Sequence, residues 1–146
     1  MMDARTFLAT ADQLARGATE ADWRSAVSRA YYAAFHVARQ LFTTCGFTAP
    51  RADRAHSYLW LRLCNSGDAT VQRAGADLDA LRRLRNHADY DVDRPLLQAT
   101  ALTQAQNARN VLQALDAAAQ EPLKTQISEA MKIYDRDVLK DVTWRP

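Results

Sequence analysis

Places where this chain can turn sharply are few, since its 146 residues include only 4 Gly and 4 Pro. Few turns over that length require a few long elements, and the length supports one domain around one core. The rest of the composition says which kind of element. Alanine is the commonest residue, leucine and arginine come next, and all three are strong helix formers. β-branched residues are sparse and scattered. The chain is therefore expected to be all-α: an up-and-down bundle of four to five core helices plus a C-terminal helix.

Apolar periodicity places those helices. The first covers about residues 3–16, with Phe7, Leu8, Ala11 and Leu14 on one face, and stops at Gly17. Thr19 reads as an N-cap, with Asp22 three residues later as a capping-box variant. The second helix, about residues 21–44, carries Trp23, Val27, Ala30, Tyr31, Ala34, Ala38, Leu41 and Cys45 at spacings of three and four. Tyr32, Phe35 and Phe42 widen that stripe. A helix apolar over so much of its circumference belongs at the centre of a bundle. A third helix is expected over about residues 54–64. The fourth starts near Asp68, buries Val71, Ala74, Leu78, Leu81, Leu84 and Ala88, and has an end blurred by Asp91, Val92 and Asp93. Pro95 suits the first position of a fifth helix. After Pro122 a sixth spans about residues 123–139, and the closing Trp-Arg-Pro is expected to fray.

A formal charge of +2 is too small to argue for nucleic acid alone. The basic residues are mostly Arg, several gathered at Arg82, Arg83 and Arg85, and Arg makes the bidentate phosphate contacts that Lys does not. Cys45 and Cys64 form no disulfide framework or metal-ligand spacing, so they read as reduced thiols, and no metal or cofactor is expected. The N-terminal residues lack the basic-then-apolar pattern of a signal peptide. No stretch approaches the roughly 18 apolar residues of a membrane span. A cytoplasmic protein that makes no membrane contact is the expectation.

Two stretches carry more polar chemistry than packing requires. In Ser28–Phe42, SRAYYAAFHVARQLF, the residues Arg29, Ala33, His36 and Gln40 share a helical face. Arg29 and His36 there are either a satisfied structural network or part of a binding site. In Leu81–Asp93, LRRLRNHADYDVD, three Arg, an Asn, a His, a Tyr and three Asp crowd one helix end. Arg85 with Asp89, Arg83 with His87, and His87 with Asp91 stand at pairing distance along a helix. A solvated end laced with salt bridges is one reading; the gathering of His, Tyr and Asn beside the Arg cluster favours a site.

These stretches resemble the HEPN family. SRAYYAAFHVARQLF is similar to the Tyr-Tyr-Ala-x-Phe-His signature of that family's second helix, and RLRNHADYD resembles its Arg-Asn motif near the end of the fourth. A His-bearing third helix (Ala55-His56-Ser57) lies between them, and the resemblance covers about residues 4–120. It implies a HEPN-like bundle over residues 1–121, followed by a C-terminal helix and tail over 122–146.

The resemblance also implies a role in a toxin–antitoxin or defence system. Family members with an intact site are metal-independent ribonucleases, in which two protomers face their motifs across a dimer cleft. The ribose 2′-hydroxyl attacks the adjacent phosphate, a His moves the proton and an Arg stabilises the phosphorane. A minimal nucleotidyltransferase encoded nearby often serves as partner and can adenylylate a Tyr near the motif. Mapped here, the motif Arg is Arg85 and its polar neighbour Asn86. The expected His position holds Tyr90, while His87 arrives early; a second register pairs Arg82 with His87. Tyr does not serve as a general base near pH 7, because its unperturbed pKa is about 10. The catalytic expectation is thus Arg85, His87 and Tyr90, with Arg82, Asn86, Asp89, Arg29 and His36 binding RNA or nucleotide. The alternatives are a non-catalytic partner or substrate of the nucleotidyltransferase and a purely structural helical module. A homodimer is expected, since the second and fourth helices carry more apolar surface than one bundle interior needs.

Overall fold

The computed structural model describes residues 2–145. Six α-helices follow in order: α1 (Thr6–Ala15), α2 (Glu20–Thr44), α3 (Arg54–Leu63), α4 (Ala69–Tyr90), α5 (Gln98–Ala118) and α6 (Leu123–Ile133). A π-helical stretch, Tyr134–Leu139, continues α6. No strand forms among the described residues; one isolated antiparallel bridge joins Phe47 and Trp144. The protein is an all-α bundle, as its composition requires. None of its described helices is long and apolar enough to cross a membrane.

Helix α2 is the centre of the bundle, in contact with α1, α3, α4 and α5. Val27, Ala30, Tyr31, Ala34, Ala38, Leu41 and Phe42 along it are all buried. Large apolar side chains withdrawn from water in this way stabilise by about 1.5–3 kcal/mol each. The capping expectation at its start is half met: the Thr19 hydroxyl accepts the Asp22 N–H at 3.2 Å. The Asp22 carboxylate packs instead against Gly17, where a Cβ would collide with it. Asp68 caps α4 in the same manner, accepting from the Val71 N–H at 3.0 Å. Gly75 lets α4 cross close over the end of α3, since a Cβ there would lie 2.8 Å from the Cys64 backbone nitrogen.

Two boundaries differ from the sequence expectation. Helix α5 begins at Gln98, not at Pro95, with Leu97 extended before it. The α4–α5 connection stays non-helical because it is tied to the start of α2. Arg24 donates to the carbonyls of His87, Ala88 and Asp91 at 3.2, 3.0 and 3.3 Å, and to that of Arg94. The Leu96 N–H donates to Glu20 at 3.3 Å, and the Leu96 side chain is buried. One guanidinium thus satisfies carbonyls that the end of α4 leaves open.

The second difference is the tail. Trp144 and Arg145 do not fray; they run back along the segment before α3, while Pro146 lies outside the described residues. Asp135, fully buried, holds this return: it accepts from Arg62 Nε at 2.7 Å and from the Thr143 N–H and hydroxyl at 3.0 and 2.6 Å. The Thr143 carbonyl accepts the Thr48 N–H at 2.7 Å, and its hydroxyl bonds with that of Tyr58. Arg62, itself buried, lies over the Tyr58 ring at 3.5 Å. Ile127 and Met131 of α6 belong to the same apolar core as α2. Removing one partner of a buried ion pair strands the other charge at about 3–5 kcal/mol. Asp135→Ala is therefore expected to cost about that much in urea unfolding, and a loss below about 1 kcal/mol would show that the pair does not anchor the tail.

Candidate functional site

The edge of α2 that faces α4 is set by residues four apart: Arg24, Ser28 and Tyr32. Arg24 takes the end of α4 as described, the Ser28 hydroxyl donates to Asp89 at 3.2 Å, and the Tyr32 hydroxyl accepts from Arg85 Nη2 at 2.6 Å. Helical spacing therefore aligns the α4 motif against α2 over about two turns.

Arg85 is the hub. Its guanidinium lies 5.1 Å from the Tyr32 ring centre and 5.5 Å from that of Tyr90. Nη1 donates to the Asn86 side-chain oxygen at 3.0 Å. Nε stands 3.0 Å from Asp89 without an aligned hydrogen bond, so that contact is an ion pair alone. The side chain is only 15% exposed. Such caging reduces the rotamer freedom that Arg would lose on binding an anion, and hydrogens on both Nη atoms stay unassigned.

Around Arg85 opens a cleft of about 460 Å³, lined by Asp53, His56, Ser57, Trp60, Arg82, Arg85, Asn86 and Tyr90. Arg82 enters it while donating to Asp79 from Nε and Nη2 at 3.1 and 2.8 Å; Arg83 shares that carboxylate but projects outward. The Arg pair holds Asp79 below the usual carboxylate range against the opposing effect of burial. Tyr90 is 70% exposed at the cleft's mouth.

The structure brings together Arg82, Arg85, Asn86, Asp89 and Tyr90 of the residues singled out in the sequence. It does not bring His87 to them. Two residues apart on a helix, Arg85 and His87 face different ways, and His87 Nε2 lies 3.3 Å from the Arg94 carbonyl, on the connection side. Nor do Arg29 and His36 enter the cleft. Arg29 sits over the Phe7 ring at 5.5 Å, and His36 stacks on that ring at 5.8 Å. His36 lines a separate groove of about 760 Å³ beside α1 and meets the cleft's surroundings through Phe35 and Tyr32, at 5.1 and 6.1 Å.

The histidine that lines the cleft is His56. Its Nδ1 shares a hydrogen bond with the hydroxyl of Tyr31, and its ring packs 4.9 Å from Phe35. Sequence reasoning noted His56 but gave it no role, because α3 is brought to α4 only by tertiary packing. Tyr32 and Ser28 were missed as well, although their spacing from Arg24 was a readable signal. Among the described residues no group of three or more His, Cys, Asp or Glu is placed to hold a metal ion.

Comparison with protein families adds the decisive observation: the model of the HEPN domain matches residues 1–119. The chain belongs to the HEPN family. No curated protein and no solved structure gave a significant match. The HEPN match includes all of α1 to α5, and therefore every residue of the cleft, whereas α6 and the docked tail lie beyond it.

The cleft has a measurable electrostatic signature. Burial, then the charge of Arg85, lower the His56 pKa; Asp53 opposes them, and Arg82 adds the weakest lowering effect. His36 is lowered too, by burial and then by Arg39. Below pH of about 6.5 the unfolded chain takes up protons that these two folded sites resist, so stability falls on acidification. NMR titration is expected to find both histidines protonating below the usual value, with stability declining through that window. A pKa at or above about 6.5 for His56 would contradict the proximity of the two Arg charges.

Proposed function

We propose that this HEPN-family protein is the RNA- or nucleotide-binding component of a toxin–antitoxin or defence system, and that the Arg85 cleft is its phosphate seat. The observation that carries this reading is the caging of Arg85 between Tyr32 and Tyr90 beside Arg82 and Asn86. A held guanidinium offers a phosphate a fixed fork of donors. Tyr90, exposed on one side, offers a base a stacking face. Asp89 is the group that a bound phosphate would displace from Arg85, whereas Arg82 keeps its bond to Asp79. The cleft is shallow for one nucleotide strand, and a two-fold homodimer that sets two clefts face to face completes it in this reading.

A charge-assisted hydrogen bond is worth about 1.5–3 kcal/mol, which corresponds to roughly 10- to 100-fold in affinity. Fluorescence anisotropy with a short RNA and with ATP is expected to show binding that weakens by that factor in Arg85→Ala and declines with salt. Light scattering on the same sample should return twice the 16.4 kDa chain mass. Equal affinity of the wild type and Arg85→Ala for both ligands would sink the assignment.

The exposure of Tyr90 favours a second reading. Its hydroxyl stands at the cleft's mouth, where a partner enzyme reaches it, and a minimal nucleotidyltransferase encoded nearby would adenylylate it there. Co-expression with such an enzyme should add one AMP mass to the intact protein, and the addition should vanish in Tyr90→Phe. Addition that persists in Tyr90→Phe places the acceptor elsewhere.

A further inference from the structure

A cleft that seats a phosphodiester needs a group able to move a proton if it is to cut the strand, and the α4 motif does not supply one. His87 faces the Arg94 carbonyl, and a tyrosine side chain, with an unperturbed pKa of about 10, does not serve as a general base near neutrality. The position in the fold that meets the requirement is on α3. His56 lines the cleft with Arg82, Arg85 and Asn86. Its Nδ1 is engaged by Tyr31, whose ring is almost fully buried in the core. Nε2 has no hydrogen-bond partner among the described residues. The ring is further clamped by Phe35 at 4.9 Å and by the Tyr31 ring at 5.6 Å. A base whose second nitrogen is fixed by a third group is the usual arrangement for directed proton transfer.

We propose that His56, oriented by Tyr31, is the catalytic proton-transfer residue of the cleft, acting on an RNA phosphodiester seated against Arg85. The inference rests on the binding reading above and goes beyond it. In the tautomer whose Nδ1–H donates to the Tyr31 oxygen, Nε2 of the neutral ring is free to accept the proton of the ribose 2′-hydroxyl. The 2′-oxygen forms a bond to phosphorus, and the bond from phosphorus to the 5′-oxygen breaks. The departing 5′-oxygen takes the proton back from the imidazolium, which restores the neutral ring. The products are a 2′,3′-cyclic phosphate and a 5′-hydroxyl, with no co-reactant consumed. Arg85 places its donors where charge gathers on the non-bridging oxygens.

The charged and titratable groups around His56 come from three elements. Arg82 and Arg85 face it from α4, Asp53 from the turn before α3, and Tyr31 from α2. Burial first, then the charge of Arg85, favour the neutral ring, the state that accepts a proton. Tyr31 is itself held protonated by burial, so it remains a hydrogen-bonding partner and is a positioning residue.

The experiment follows cleavage and binding separately, using full-length protein, a short RNA and EDTA. The wild type is expected to leave cyclic-phosphate ends and to spare the same strand made of DNA. His56→Ala and His56→Gln are expected to bind RNA as the wild type does, yet to cut it about 10² to 10⁴ times more slowly. Tyr31→Phe is expected to move the acid limb of the pH–rate profile, an effect that simple loss of packing would not produce. Bound but uncut RNA in the wild type overturns the proposal and leaves the binding reading intact. Full-rate cleavage by both His56 variants, or loss of cleavage in His87→Ala alone, overturns it as well. Failure of the wild type to bind RNA overturns it too, and the binding reading is then decided by ATP alone.

Discussion

Burial of α2 on nearly all sides is the constraint from which the rest of the arrangement follows. A 25-residue helix contacted by four others cannot rotate or slide without exposing part of its apolar surface. Its Glu20–Arg24–Ser28–Tyr32 edge is thereby aimed at α4 and at the connection that follows. Polar groups on such an edge must be satisfied where they stand, and they are: Arg24 by backbone carbonyls, Ser28 by Asp89 and Tyr32 by Arg85. The cleft is one consequence of how that edge is neutralised.

Charge in the cleft is distributed unevenly. Asp79 is shared by Arg82 and Arg83, and Asp89 stands against Arg85, so carboxylates offset much of the Arg cluster. The net charge of +2 reflects that balance, and a broad electrostatic field is not how this protein would attract nucleic acid. Recognition would depend instead on local geometry: a caged guanidinium and an exposed Tyr ring. In the proposed reading, such a site would suit a ligand that brings phosphate and base together better than a bare anion.

The α3 wall of the cleft is secured from outside the family-matched region. Arg62, one turn and a half beyond His56 on the same helix, is tied through Asp135 to the segment that follows α6. Thr143 extends that tie to Tyr58 and Thr48. Nothing in the stretch Tyr134–Leu139, where Asp135, Arg136 and Asp137 are consecutive charges, marks Asp135 as buried; the same pattern suits an exposed helix end. The burial arises because α6 packs across the core and leaves this carboxylate opposite Arg62.

Local pattern by itself determined the helices, the central position of α2, the capped starts of α2 and α4, and the crowding of Arg82, Arg85, Asn86, Asp89 and Tyr90 at one helix end. Helical period and capping chemistry act over a few residues, and a sequence displays them directly. Tertiary structure decided which histidine joins that crowd. His87 is adjacent in sequence and is turned away by the helical rotation between positions two apart, whereas His56 is 29 residues from Arg85 and is delivered by the packing of α3 on α4. It also decided that the α4–α5 connection stays non-helical under Arg24 and that Trp144 docks. Each of those outcomes depends on a contact between residues far apart in the chain, and no periodicity encodes which partner a buried charge will meet.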